Sequence, residues 1–161
     1  MIAPLTPYEL IKALSTGMGE AIAGASFPNG CGETVPVNIF EQDLPISTAY
    51  DGEPEYAPFC LVRLVGGSIT GVNEPENANI LLIFCTYDEN TNRQGYADTL
   101  HLMQLAKQYM LTNNVLAGCF VLQASSVQWT LEEDDIQGYH IGSITATYTC
   151  PATIRNEVDY D

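Results

Sequence analysis

The run Asp88-Glu89-Asn90-Thr91-Asn92 places side-chain oxygens at alternate positions, the spacing with which a calcium-binding loop begins. Arg93 stands where such a loop needs its sharp-turn glycine, and Thr99 where it needs a bidentate Glu, so the segment reads as a polar loop ahead of a helix. Glu132-Glu133-Asp134-Asp135 is a second group of carboxylates. Hydrolysis by a carboxyl pair requires two groups held apart across a pocket, and neighbours on a hairpin turn point into solvent instead. His101 and His140 form neither an HExxH helix nor a Cys-His pair at zinc spacing. Cys119 with His140 is the nucleophile and base to consider, but Cys119 sits in an apolar stretch that penalises a thiolate. Gly66-Gly67 and Gly17-Met18-Gly19 complete no phosphate-cradling motif. The sequence predicts no catalytic residue, no metal ligand and no cofactor, and a protein that is not an enzyme.

Cys31, Cys60, Cys85, Cys119 and Cys150 are odd in number, far apart and mostly within apolar runs. They read as reduced, buried small hydrophobes rather than a disulfide framework. Asp and Glu number 20 against Lys12, Arg63, Arg93, Lys107 and Arg155, a formal net charge of -15. Phosphate backbones are held by clustered Lys and Arg, so scattered basic residues disfavour sequence-independent nucleic-acid binding. An acidic surface suits solubility, a basic protein partner, or a wall past which DNA slides without adhering. The chain of 161 residues, 46% hydrophobic and 16% charged, can bury the core of one domain and is neither a disordered tail nor a coiled coil. No stretch approaches the roughly 18 apolar residues of a bilayer span, and no Lys or Arg precedes the first apolar residues, so cytosolic synthesis without membrane association is expected.

The elements that would position these residues are legible. Thr6-Pro7-Tyr8-Glu9 is a capping box with Pro at the first helical position, and Ile11, Leu14, Met18 and Ile22 recur on one face of the helix it starts. From Ala25 to Ala57 turn formers dominate, and only Thr34 to Phe40 looks extended, with Pro36 confining it to an edge or bulge. This stretch, 25–57, is expected to be a loop excursion from the domain that grips a neighbour. Strands at 58–65 and 79–88 are apolar on both faces and predict central positions covered on both sides, with Arg63 needing a carboxylate or a solvent path. A polar hairpin connection joins them. Val115 to Leu131 reads as a long strand or strand pair, followed by the acidic turn 132–138. The return strand alternates Gly142, Ile144, Ala146 and Tyr148 against Ser143, Thr145 and Thr147, predicting one buried and one wet face.

Between the two halves, Tyr96 to Leu111 forms an amphipathic helix whose face of Tyr96, Leu100, Met103, Ala106 and Met110 suits packing on a sheet. Leu102, Leu105 and Tyr109 make a second apolar patch, which either meets another subunit or lies under the 25–57 excursion. The candidate subunit-interface residues are therefore Leu102, Leu105 and Tyr109 on this helix, and Val35, Val37, Ile39 and Phe40 in the excursion. The fold class is α/β of the α+β kind: one domain over 1–150, a mixed or antiparallel sheet flanked by the two helices, and an acidic C-terminal tail over 151–161.

Pro58-Phe59 with Leu61-Val62-Arg63-Leu64 and a following Gly-Gly, Ile80 to Asp88 leading through Gly95-Tyr96 and Asp98 into a helix, then Trp129 and the closing strand Gly142 to Tyr148, resemble the tail terminator and tail-completion proteins of long-tailed bacteriophages and phage-like tail particles. The likeness covers about residues 1–150 and lies in element order and a few dipeptides. It implies a virion structural subunit in the neck, made in the host cytoplasm. Its copies would assemble as a homo-oligomeric, hexameric ring that caps the tail tube and meets tail-tube and head-connector proteins. DNA would pass through its lumen only as cargo, past a lining expected to be acidic. Another neck or tail component, such as a head-completion ring or tail-tube subunit, and a small intracellular enzyme are the alternative readings.

Overall fold

The computed structural model describes residues 6–28, 33–44, 57–88, 94–132 and 138–152. Helix α1 spans Pro7–Ile22 and begins as its sequence predicts: the Thr6 backbone N–H donates to Glu9 Oε2 at 2.9 Å, and the Thr6 hydroxyl donates to the same oxygen. This reciprocal cap occupies groups that the first helical turn leaves without partners.

Strands β1 (Ser26–Pro28) and β2 (Thr34–Pro36) form a two-stranded antiparallel ribbon. The main sheet has six strands in the order β3-β4-β5-β8-β7-β6, with β3 spanning Asn38–Glu41, β4 Phe59–Ile69, β5 Glu76–Tyr87, β6 Val115–Leu116, β7 Phe120–Leu131 and β8 Tyr139–Cys150. Among the described strands only the β3/β4 pair is parallel. Helix α2, Gln94–Thr112, connects β5 to β6. The result is a single α+β domain with a mixed sheet.

Both helices pack on one face of this sheet. Strand alternation aims Cys60 and Val62 of β4, Ile80, Leu82 and Phe84 of β5, and Ile144, Ala146 and Tyr148 of β8 at the helices, where they join Leu10, Leu14 and Met18 of α1 in one buried cluster. Each such apolar side chain contributes about 1.5–3 kcal/mol by leaving water. The expected cover on both sides of β4 and β5 holds in part. On the far face Leu61 and Cys85 are buried, whereas Leu81 and Ile83 are half-buried.

The excursion expected over 25–57 is corrected where it is described. Asn38–Glu41 is an edge strand of the main sheet, and Phe27 of β1 lies in the core. Val37 and Ile39 pack against that core, which makes the strand a structural part of the domain. Beyond it Gln42 extends the pairing through its side chain: its amide Nε2–H donates to the Leu64 carbonyl, and the Leu64 N–H donates to Gln42 Oε1, both at 2.9 Å. Arg63 finds its carboxylate in Asp43, 3.0 Å away, and also donates to the Gln42 carbonyl.

The β4–β5 hairpin is longer than predicted, running to Ile69 and resuming at Glu76. Gly66 and Gly67 belong to the strand rather than to the connection. Pairing shifts register between Leu64 and Gly66, and a β-carbon on Gly67 would stand 2.3 Å from the Asn77 carbonyl oxygen, so glycine is what lets the two backbones approach.

Candidate functional site

The residues first suspected of chemistry are kept apart by the fold. In the β8 ladder His140 pairs with Thr86 at one end, while Thr149, at the other, pairs with Val121 of β7, two residues beyond Cys119. Nine residues of extended chain separate the ends, about 30 Å at 3.3 Å per residue, so Cys119 and His140 cannot act as a pair. The His140 ring nitrogen Nε2 lies 3.3 Å from the Asp88 carbonyl oxygen. His101 is exposed on α2 with its ring against Phe27, centroids 6.1 Å apart.

A buried polar knot closes the end of the sheet near the start of α2. The Thr86 and Thr99 hydroxyls are 2.7 Å apart, Thr99 also donates to the His140 carbonyl at 3.2 Å, and Asp88 and Asp98 are buried nearby in sequence. It ties α2 to β5 and β8. Of the suspected calcium run only Asp88 falls within the described residues, and of the acidic turn only Glu132 and Gly138. Among the described residues no three His, Cys, Asp or Glu side chains are grouped so as to hold a metal ion. Nor is any described helix long and apolar enough to cross a membrane. The thiols of Cys60, Cys85 and Cys150 are reduced and buried. Burial raises the Cys60 thiol far above its ordinary value and pushes Cys150 up to about 11.

Where a surface is sought instead, the predicted interface residues need revision. Leu102 is fully buried in the subunit core and is withdrawn as a contact residue. Leu105 and Tyr109 are half-buried against the same core. The second apolar face of α2 is covered by α1, with a contribution from Phe27, because a long two-faced helix shared between a sheet and a second helix buries both faces within one chain. Tyr96, assigned to the sheet-facing side, is 45% exposed instead. In the former excursion Val35 is half-buried in β2, and Phe40 meets Phe59, ring centroids 6.2 Å apart.

The exposed apolar side chains lie elsewhere. Val65, Ile69 and Val72 are 55%, 58% and 71% exposed along the β4–β5 hairpin and its tip, where Ile69 to Glu74 line a shallow concavity of about 410 Å³. Across the sheet, Val115 and Val121 form an exposed cross-strand pair between β6 and β7, with exposed Leu111 at the end of α2. Trp129 of β7 is 49% exposed, with the Lys107 ammonium 4.9 Å from its ring centroid. The hairpin tip was not legible in the sequence because Ile69 and Val72 stand singly among the turn-forming and polar residues of the connection. The chain matches no protein-family model and no curated protein.

Proposed function

We propose that the protein is a structural subunit of a virion, a tail terminator of the phage neck whose copies close into a ring that caps the tail tube and meets the head connector. The observation that carries this reading is the presence of two different exposed apolar patches on opposite sides of one sheet: Val65, Ile69 and Val72 on the β4–β5 hairpin, and Val115, Val121 and Leu111 beside the β6 edge. Closed rings are built by heterologous contacts, in which one patch meets a different patch on the next copy. Exposed aliphatic side chains concentrated in this way are characteristic of interaction surfaces. Element order and the acidic balance of the chain support the same reading.

Light scattering on the purified protein, followed by negative-stain imaging, tests the proposal. A mass several times that of one chain with annular particles is expected, and Ile69→Asp with Val72→Asp is expected to return the protein to single copies. A protein that stays monomeric at high concentration, alone and when offered phage tails or head connectors, overturns the reading.

A further inference from the structure

The two edges of the main sheet are each covered in part, and at opposite corners. At one edge β3 covers residues 59–62 of β4, and among the described residues no strand lies beside 66–69 on the side away from β5. At the other edge β6 covers Phe120 and Val121 of β7, and no described strand lies beside 128–131 on the side away from β8. Neither bare length contains a charged residue or a proline, two of the usual protections of an open edge.

The register across the sheet puts the covered and bare lengths in the same rows. Trp129 pairs with Ile144, Ile144 with Leu82, Leu82 with Val62 and Val62 with Glu41. Leu131 reaches Ile39 in the same way through Gly142, Phe84 and Cys60. At the other end of the strands Val115 reaches Ser68 through Val121, Thr149 and Asn77. The bare part of β7 is therefore level with β3, and the bare part of β4 level with β6. Backbone groups match too. The Glu132 N–H donates to the Ile141 carbonyl, so alternation turns the N–H and C=O of Trp129 and Leu131 away from β8. The Asn38 and Gln42 N–H groups donate to the Pro58 and Val62 carbonyls, which leaves the N–H groups of Ile39 and Glu41 facing outward from β3.

We propose that successive copies join edge to edge in one continuous sheet: β3 of one copy lies antiparallel beside 128–131 of the next, while β6 of that next copy lies parallel beside 66–69 of the first. The proposal rests on the ring reading above and says how the ring is joined. Each projecting short strand fills the gap left by the other, so the contact is heterologous and uses both edges of every copy. A second copy fits better than a foreign strand, because this chain itself carries a strand of the right direction at the level of each gap. Glu41 and Trp129 face each other across the joint. Both side chains lie on the helix side of the sheet, Glu41 against Lys12 at 2.9 Å and Trp129 under the Lys107 ammonium, so a carboxylate of one copy meets a cation of the next. The two exposed apolar patches come to the same end of that joint.

The test uses Phe40 and Thr130, which share a row through Leu61, Ile83 and Ser143. Within one chain four strand spacings separate them, about 19 Å at about 4.8 Å each, too far for a disulfide. Across the joint they form a pair about 4.5 Å apart. Phe40→Cys with Thr130→Cys, oxidised after assembly, is expected to give a ladder of covalent multimers. A mixture of the two single variants should stop at dimers, and the parent with its own five cysteines should give no ladder. Trp129→Pro and Trp129→Ala both lose the indole, and only the proline loses the outward N–H. The two should unfold alike, and the proline variant should need about tenfold more protein for half assembly. A double-cysteine variant that assembles to the parent mass without a ladder overturns the inference, leaves the ring standing and assigns the bare edges to a strand of another protein. If those cysteines prevent folding, equal assembly of the two Trp129 variants overturns it. The mass of the parent is measured first by light scattering, and a monomer there removes the ring reading and this inference together.

Discussion

The phenol of Tyr109 occupies the space that a β-carbon on Gly17 would need, since a methyl group there would stand 1.6 Å from the Tyr109 hydroxyl oxygen. This contact joins α1 to α2 and explains a glycine in the middle of a capped helix. Gly17→Ala should gain about 1 kcal/mol of helix propensity and lose about 2 by displacing the ring, a net loss of about 1 kcal/mol in urea unfolding. Tyr109→Ala in the same chain should make the alanine neutral or stabilising, and a cycle of the two changes should show their coupling.

Leu102 separates the interior of the subunit from its surface. Leu102→Ala is expected to lower unfolding stability by about 2–5 kcal/mol, because it empties a site with no solvent exposure. Leu111→Ala, at a side chain 52% exposed, should change stability by less than about 0.5 kcal/mol and act on assembly instead. Equal stability losses at the two positions in unfolding experiments would contradict this arrangement.

Tyr148 is fully buried, and its hydroxyl has no hydrogen-bond partner among the described residues. Burial raises its ionisation well above the ordinary phenol value, with Tyr109 adding to the rise. Removing an unsatisfied buried hydroxyl while keeping the ring should be neutral or stabilising by about 1 kcal/mol, so Tyr148→Phe is expected to melt no lower than the parent.

The thiols give a pH signature with a definite sign. Burial lifts the folded Cys150 from 9.0 to about 11, so its contribution is complete below pH 9 and is lost as pH rises toward 11. Unfolding midpoints should fall across that window, and Cys150→Ala should flatten the fall after allowance for the cavity it leaves. At pH 8, alkylation followed by peptide mapping should modify half-buried Cys119 ahead of buried Cys60 and Cys150.

At the other end of the range, Glu9 accepts bonds from the Thr6 hydroxyl and N–H, which hold its carboxyl below the ordinary value. The cap is intact above the unfolded carboxyl pKa and is lost as pH falls through the depressed one. Thr6→Ala should cost about 1 kcal/mol near neutrality, and the difference from the parent should shrink in acid as the parent loses the same bonds.

The sequence by itself determined the local elements: the Thr6 cap, the strand built on Gly142, Ile144, Ala146 and Tyr148, and the need of Arg63 for a carboxylate. Capping chemistry and the alternation of side chains act over a few residues and leave their marks in neighbouring positions. The α+β class followed from the order of those elements. Which of two apolar faces on α2 meets a sheet, a helix or solvent was settled only in three dimensions, because Leu102 and Leu111 are equally apolar and differ in what the chain brings over them. Asn38–Glu41 likewise joins the sheet through pairing with a strand about 20 residues later, a contact that turn-rich composition conceals. The exposed hairpin tip is also a product of tertiary structure, since Val65, Ile69 and Val72 are set apart in sequence and reach solvent together.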